Sequence, residues 1–180
     1  MVVINREKML YWIRISALLI DFLLIALYAT CLFGVVYFFT HDRPLVFSPY
    51  MGQLVAFLSL TLPVLLYLIC FEYSSKQASL GKQICKLQVH NINGGKASLQ
   101  SIIIRNVVKL LPWEIAHAFV QALFYFIHRN EEPPIWVWIG LIIPQLVAFV
   151  YFITPVLNKK GRGVNDLIAN TIVVRETSRS

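Results

Sequence analysis

Ile15 to Thr40 reads ISALLIDFLLIALYATCLFGVVYFFT, and this stretch decides the class of fold. One charge interrupts it, Asp21. As a helix rising 1.5 Å per residue it reaches ~39 Å, more than the roughly 30 Å hydrocarbon core of a bilayer. A membrane span is the reading.

Working outward, the connector HDRPLVFSPY follows, and Pro44 and Pro49 break the helix there. Met51 to Phe71 is a second apolar run, with a kink expected at Pro63. From Glu72 to Lys109 the chain becomes mixed, basic and rich in turn residues. Asn93-Gly94-Gly95 marks a turn, and Ser98 is a candidate N-cap for SLQSIIIRNVVKLL. The third run, Leu110 to Ile127, is the weakest, because it holds Pro112, Glu114, His117 and Gln121; its alternative is a helix lying in the interface. Ile135 to Leu157 is the fourth run, bent at Pro144 and Pro155.

Composition agrees. The chain is 58% hydrophobic and 14% charged, where a soluble domain carries about a quarter charged residues. The net charge of +7 would suggest nucleic-acid binding in a soluble protein. Here the basic residues flank apolar runs, so that partner is not expected and the lipid bilayer is. Cys31, Cys70 and Cys85 form no CxxC or Cys/His pattern, so neither a disulfide framework nor a zinc site is expected. No cleavable signal peptide is read at the N-terminus.

The N-terminal segment, residues 72–109 and the tail hold 3, 6 and 5 of the 16 Lys and Arg residues. The two other loops hold only Arg43 and Arg129. The positive-inside rule therefore gives four crossings with both termini in the cytoplasm. The expected fold is all-α: spans near 15–40, 51–71, 107–128 and 135–157, a cytoplasmic segment 72–106 and a tail 158–180, in one domain. Labelling from outside should reach positions 42 and 131 but not 96 or 177. A small cytoplasmic cap is expected, with Leu87–His90 and Ala97–Leu99 as a hairpin around the Asn-Gly-Gly turn. Thr171–Val174 is its candidate third strand, the alternative being a disordered tail.

Charge at the centre of a membrane helix costs about 2.5–3.5 kcal/mol on insertion scales. Asp21 should therefore face protein or water. It is either a packing lock or a proton or cation site. Glu114, His117, Gln121, Tyr125 and His128 follow 3-4-4-3 spacing and draw one polar stripe on a helix. The stripe is either a seam bonded to neighbours such as Gln145 or Tyr151, or a proton relay. A metal site is not expected from it. Arg14 and Asp21 share a face, but Arg14 points away toward the helix start. The expected pairs are Arg105 with Asp21, Lys109 being the second candidate, and Arg14 with Asp166. No GxSxG, HExxH, P-loop or GxGxxG occurs, so neither an enzyme nor a cofactor is expected.

Three blocks together resemble the RDD family of membrane proteins, named for one Arg and two Asp. They are RISALLID with Arg14 and Asp21, ASLGKQICKLQVHNINGGKASLQSIIIRNVVKLL, and GVNDLIANTIVV with Asp166. Cys85-Lys86 stands where that family commonly has Leu-Gly, Asn165 where it has His, and Asn170 where it has Gly. The resemblance implies a multi-pass protein of the bacterial inner membrane. Transport of unknown ligands has been suggested for the family, and some members look like cation/proton antiporters. The expected function is transport, with Asp21, Glu114, His117 and Gln121 as relay candidates. The alternative is a non-transporting scaffold or assembly factor that binds a partner protein or anionic lipid. A homo-oligomer or a partner membrane protein is expected in either case.

Overall fold

The computed structural model describes residues 2–40, 47–158 and 160–176, with side chains from Tyr11 onward. Four helical segments are long and apolar enough to cross a membrane: Tyr11–Thr40, Pro49–Tyr73, Leu99–His128 and Ile135–Leu157. The shortest has 23 residues, ~35 Å at the helical rise. Large apolar side chains such as Leu23, Phe33, Leu58, Phe124, Leu146 and Phe149 stand exposed around the bundle. Water would penalise such a surface, whereas acyl chains match it.

Helix α1 (Val2–Thr40) contains the first span. The second span is compound: α2 (Pro49–Ala56), a π-helical turn (Phe57–Thr61) and α3 (Leu62–Tyr73). Ser48 caps it, and Pro49 fits the first turn, where its missing N–H costs nothing. Pro63 accounts for the π turn. It has no N–H to offer the Ser59 carbonyl four residues back. The Tyr28 hydroxyl of α1 donates to that carbonyl instead. The expected kink is thus a local widening of the helix, satisfied by a neighbouring span.

Helix α5 (Leu99–His128) differs from the sequence reading, which separated a helix after Ser98 from the third span. It runs unbroken through Pro112. No turn residue divides the two stretches, and proline bends a helix that packing holds on both sides. Ser98 is its N-cap, accepting from the Ser101 N–H at 3.1 Å. Helix α6 (Ile135–Leu157) completes the bundle.

One end of the bundle carries a cap. It consists of α4 (Leu80–Ile84), β1 (Leu87–Asn91), α7 (Val164–Ile168) and β2 (Thr171–Arg175). Strands β1 and β2 are antiparallel, from Leu87 opposite Arg175 to Asn91 opposite Thr171. The tail strand therefore docks on β1 as expected. The hairpin partner was misplaced: Ala97–Leu99 is not a strand. Past the Asn-Gly-Gly turn the pairing ends with one bridge, His90 to Lys96, because Ser98 is committed to capping α5. Leu87, Val89, Ala97, Ile102 and Val173 close on Ala17 of α1 to form the cap's core. Position 42, position 177 and Arg43 lie outside the described residues.

Candidate functional site

Polar side chains inside the bundle fall into two groups, a network under the cap and a smaller cluster between α5 and the second span.

Asp21 anchors the network. It is 3% exposed and points inward. Tyr67 Oη donates to its Oδ1 at 2.9 Å, the Gly81 N–H to the same oxygen at 2.9 Å, and Ser79 Oγ to its Oδ2. Gly81 is needed here, since a Cβ would lie 2.2 Å from the Ala17 carbonyl oxygen. The Ser-Leu-Gly-Lys run is thus a short turn laid directly on α1. Lys82, its last residue, bonds Glu72.

Glu72 is the residue that sequence reasoning missed. It was read as the start of a loop because it follows an apolar run. In the fold it belongs to the last turns of α3, buried beneath the cap. Lys82 and Asn106 donate to it, the latter at 3.0 Å, and Arg105 Nε lies 3.4 Å from its Oε2. The available signal was three separated charged residues, Glu72, Lys82 and Arg105, each bordering apolar sequence.

Arg105 Nη1 donates to Asp166 Oδ1 at 2.9 Å. The same oxygen accepts from Thr171 Oγ1 at 3.2 Å, and Oδ2 takes the Gly163 N–H at 3.1 Å. Both expected ion pairs are therefore replaced. Arg105 pairs with Asp166 and Glu72 rather than Asp21. Arg14 pairs with no carboxylate among the described residues; it donates to the carbonyls of Gly161 and Val173. The reason is the placement of α4, which covers Asp21 with neutral donors, while α7 brings Asp166 over α5. Lys109 makes no hydrogen bond or ion pair among the described residues, with Asp21 or otherwise; it lines a cavity of about 170 Å³ with Arg14, Asp21, Lys82, Arg105 and Asp166.

The second cluster centres on Glu114. Thr61 Oγ1, in the π turn, donates to Glu114 Oε2 at 2.6 Å, and Gln53 Nε2 donates to Oε1. His117 Nδ1 lies 4.0 Å from Oε2, with its ring edge-on to Trp113. Gln121 fills the space over Gly52, where a Cβ would meet its Oε1 at 2.4 Å. The polar stripe thus faces the second span, not Gln145 and Tyr151 of α6. Tyr125 and His128 end it locally, on Arg129 and the Phe124 carbonyl. Asp21 and Glu114 share no hydrogen-bond partner. No group of three or more metal-ligating side chains occurs among the described residues.

A family model described as the RDD family matches residues 10–170. No curated protein and no solved structure matches the chain.

Proposed function

The chain belongs to the RDD family, and on that premise we propose that this multi-pass membrane protein is a small transporter exchanging protons for a monovalent cation. The observation that carries the reading is the Glu114 cluster. A carboxylate sits between two spans at a π turn, and two buried polar atoms of that cluster, His117 Nδ1 and Gln53 Oε1, have no hydrogen-bond partner among the described residues. Buried polar groups are normally satisfied, and unsatisfied ones mark places that hold water or an ion. π turns likewise concentrate at functional positions. Glu114 would be the group that carries the proton, releasing it when a cation is held between its carboxylate and the Gln53 carbonyl oxygen. His117 would pass that proton on, and Gln121 would order the entry to the cluster. Asp21 is left out of the path, because both its oxygens are already engaged.

Four helices make a thin wall, so an oligomer or a partner membrane protein would complete the pathway. The basic, capped end is assigned to the cytoplasm by the distribution of Lys and Arg, with the bacterial inner membrane as the setting. The scaffold reading draws on a different observation, the Glu72–Lys82–Arg105–Asp166 network, which ties α4 and α7 of the cap to α3 and α5 of the bundle.

The test is cation-coupled proton flux in proteoliposomes containing a pH-sensitive dye, under imposed Na⁺, K⁺ or Li⁺ gradients. Flux should be lost in Glu114→Gln and retained in Asp21→Asn. A folded wild-type protein that is silent under all three gradients would favour the scaffold.

A further inference from the structure

The cavity at the capped end has a lining of two kinds. Arg14, Lys82, Arg105 and Lys109 bring positive charge, and Ile15, Leu18, Tyr151, Phe152 and Pro155 bring apolar surface. Leu18 and Phe152 are also exposed on the outer, apolar surface of the bundle, at 37% and 46%. The cavity thus opens toward acyl chains. Tyr11 Oη, 3.5 Å from the Phe152 carbonyl, spans the gap between α1 and α6 beside it.

The positive charge is only partly matched. Lys82 is held by Glu72, and Arg105 by Asp166 and Glu72. The oxygens of the two carboxylates in the lining are already hydrogen-bonded, Asp21 to Tyr67, Ser79 and Gly81, and Asp166 to Arg105, Thr171 and Gly163, and with Glu72 three carboxylates face four cations. Two cations remain. Among the described residues Arg14 donates only to carbonyl oxygens, and its buried Nε has no hydrogen-bond partner. Lys109 is unpaired among the described residues. A cation held away from water is costly unless an anion accompanies it.

We infer that this cavity binds a phosphate-type oxyanion, with Arg14 and Lys109 as its charged contacts. Charge-assisted hydrogen bonds from a guanidinium and an ammonium suit such an anion. The apolar rim favours one source, the headgroup of an anionic phospholipid whose acyl chains leave past Leu18 and Phe152. A soluble phosphate monoester is the other source. This inference is independent of proton or cation movement at Glu114.

The experiment uses the full chain in neutral detergent, with binding followed by native mass spectrometry. The probes are dioleoyl phosphatidylglycerol, dioleoyl phosphatidylcholine and glycerol phosphate. Phosphatidylglycerol should bind about tenfold more tightly than phosphatidylcholine, and Lys109→Met should remove most of that preference, about 1.4 kcal/mol for the tenfold. Arg129→Gln, outside the cavity, should leave the preference intact. Glycerol phosphate binding as tightly as phosphatidylglycerol, and lost in Lys109→Met, would support the site and assign it to a soluble anion. Should Lys109→Met misfold, Leu18→Trp replaces it: the charges stay, the rim fills, and phosphatidylglycerol binding alone should fall. Equal binding of both lipids with none of glycerol phosphate, or a preference untouched by Lys109→Met or, in its place, Leu18→Trp, would overturn the inference.

Discussion

Gly81→Ala should be the most informative single-methyl change in the chain. The new Cβ would sit 2.2 Å from the Ala17 carbonyl oxygen and 3.0 Å from the Asp21 backbone nitrogen. Both are main-chain atoms of α1, so no side-chain rotation relieves the clash. Helix α4 must lift by roughly 1 Å to restore ordinary contact distances of about 3.5 Å. Overpacking of this kind costs about 1–3 kcal/mol. The lift also stretches the Gly81 N–H bond to Asp21, now 2.9 Å. A hydrogen bond to a charged group contributes about 1.5–3 kcal/mol, so the total loss should be about 2.5–6 kcal/mol. Gly34→Ala is the matched control. Nothing lies within 4 Å of its added Cβ, and alanine favours a helix interior over glycine by about 0.5–1 kcal/mol. Reversible SDS-induced unfolding in mixed micelles would measure both. If Gly81→Ala unfolds within about 1 kcal/mol of wild type, the close seating of α4 on Asp21 is wrong.

Other substitutions probe separate contacts. Asp21→Asn should unfold within about 1 kcal/mol of wild type, since its amide oxygen can keep Tyr67 and Gly81 while its NH2 donates to Ser79; Asp21→Ala should lose several times more in the same assay. A double-mutant cycle with Arg105→Met and Asp166→Asn should give a coupling of about 1.5–3 kcal/mol, whereas Arg105→Met with Asp21→Asn should be additive within about 0.5 kcal/mol. The opposite ranking would restore the pairing read from sequence. Ser98→Ala should cost about 1 kcal/mol by removing the cap of α5, visible as faster amide exchange in its first turn. Lys86→Gly should stabilise by about 1 kcal/mol, because Lys86 has φ 55°, in the left-handed region that disfavours side chains.

The spans were legible because lipid imposes one dominant requirement, a long apolar run with its backbone satisfied internally. Pro49, Ser48 and Ser98 marked helix starts by local chemistry that acts whatever the surroundings. Two departures from the family pattern are also explained locally. Lys86 and Asn170, where the family commonly has glycine, have φ 55° and 53°. Asparagine tolerates that region, whereas lysine carries a cost there. What could not be read was pairing. A buried carboxylate demands donors without naming them, and Asp21 found neutral donors on a turn 60 residues away rather than an arginine. Glu72 was hidden for the opposite reason: a charge ending an apolar run looks like an exit into water, and only the cap over it makes it interior.

Arg14, Asp21 and Asp166 do not meet as a triad. Each fixes a different piece of the cap to the bundle. Asp21 on α1 holds α4, Arg14 on α1 holds the Gly161 turn and β2, and Asp166 on α7 reaches α5 through Arg105. The contacts run from the first span to the last described segment, so no pair of neighbouring helices can complete them. Glu72, Lys82 and Asn106 fill the space between these attachments, with Lys82 and Asn106 both donating to the Glu72 carboxylate. Opening the cap would carry Asp166 on α7 away from Arg105 on α5, and removing one partner of a buried ion pair costs about 3–5 kcal/mol. The capped end is therefore the end at which the most widely separated parts of the chain are tied together. Motion that serves the proposed transport would come from the Glu114 end, where Pro112 and the π turn interrupt the regular hydrogen bonding of both helices.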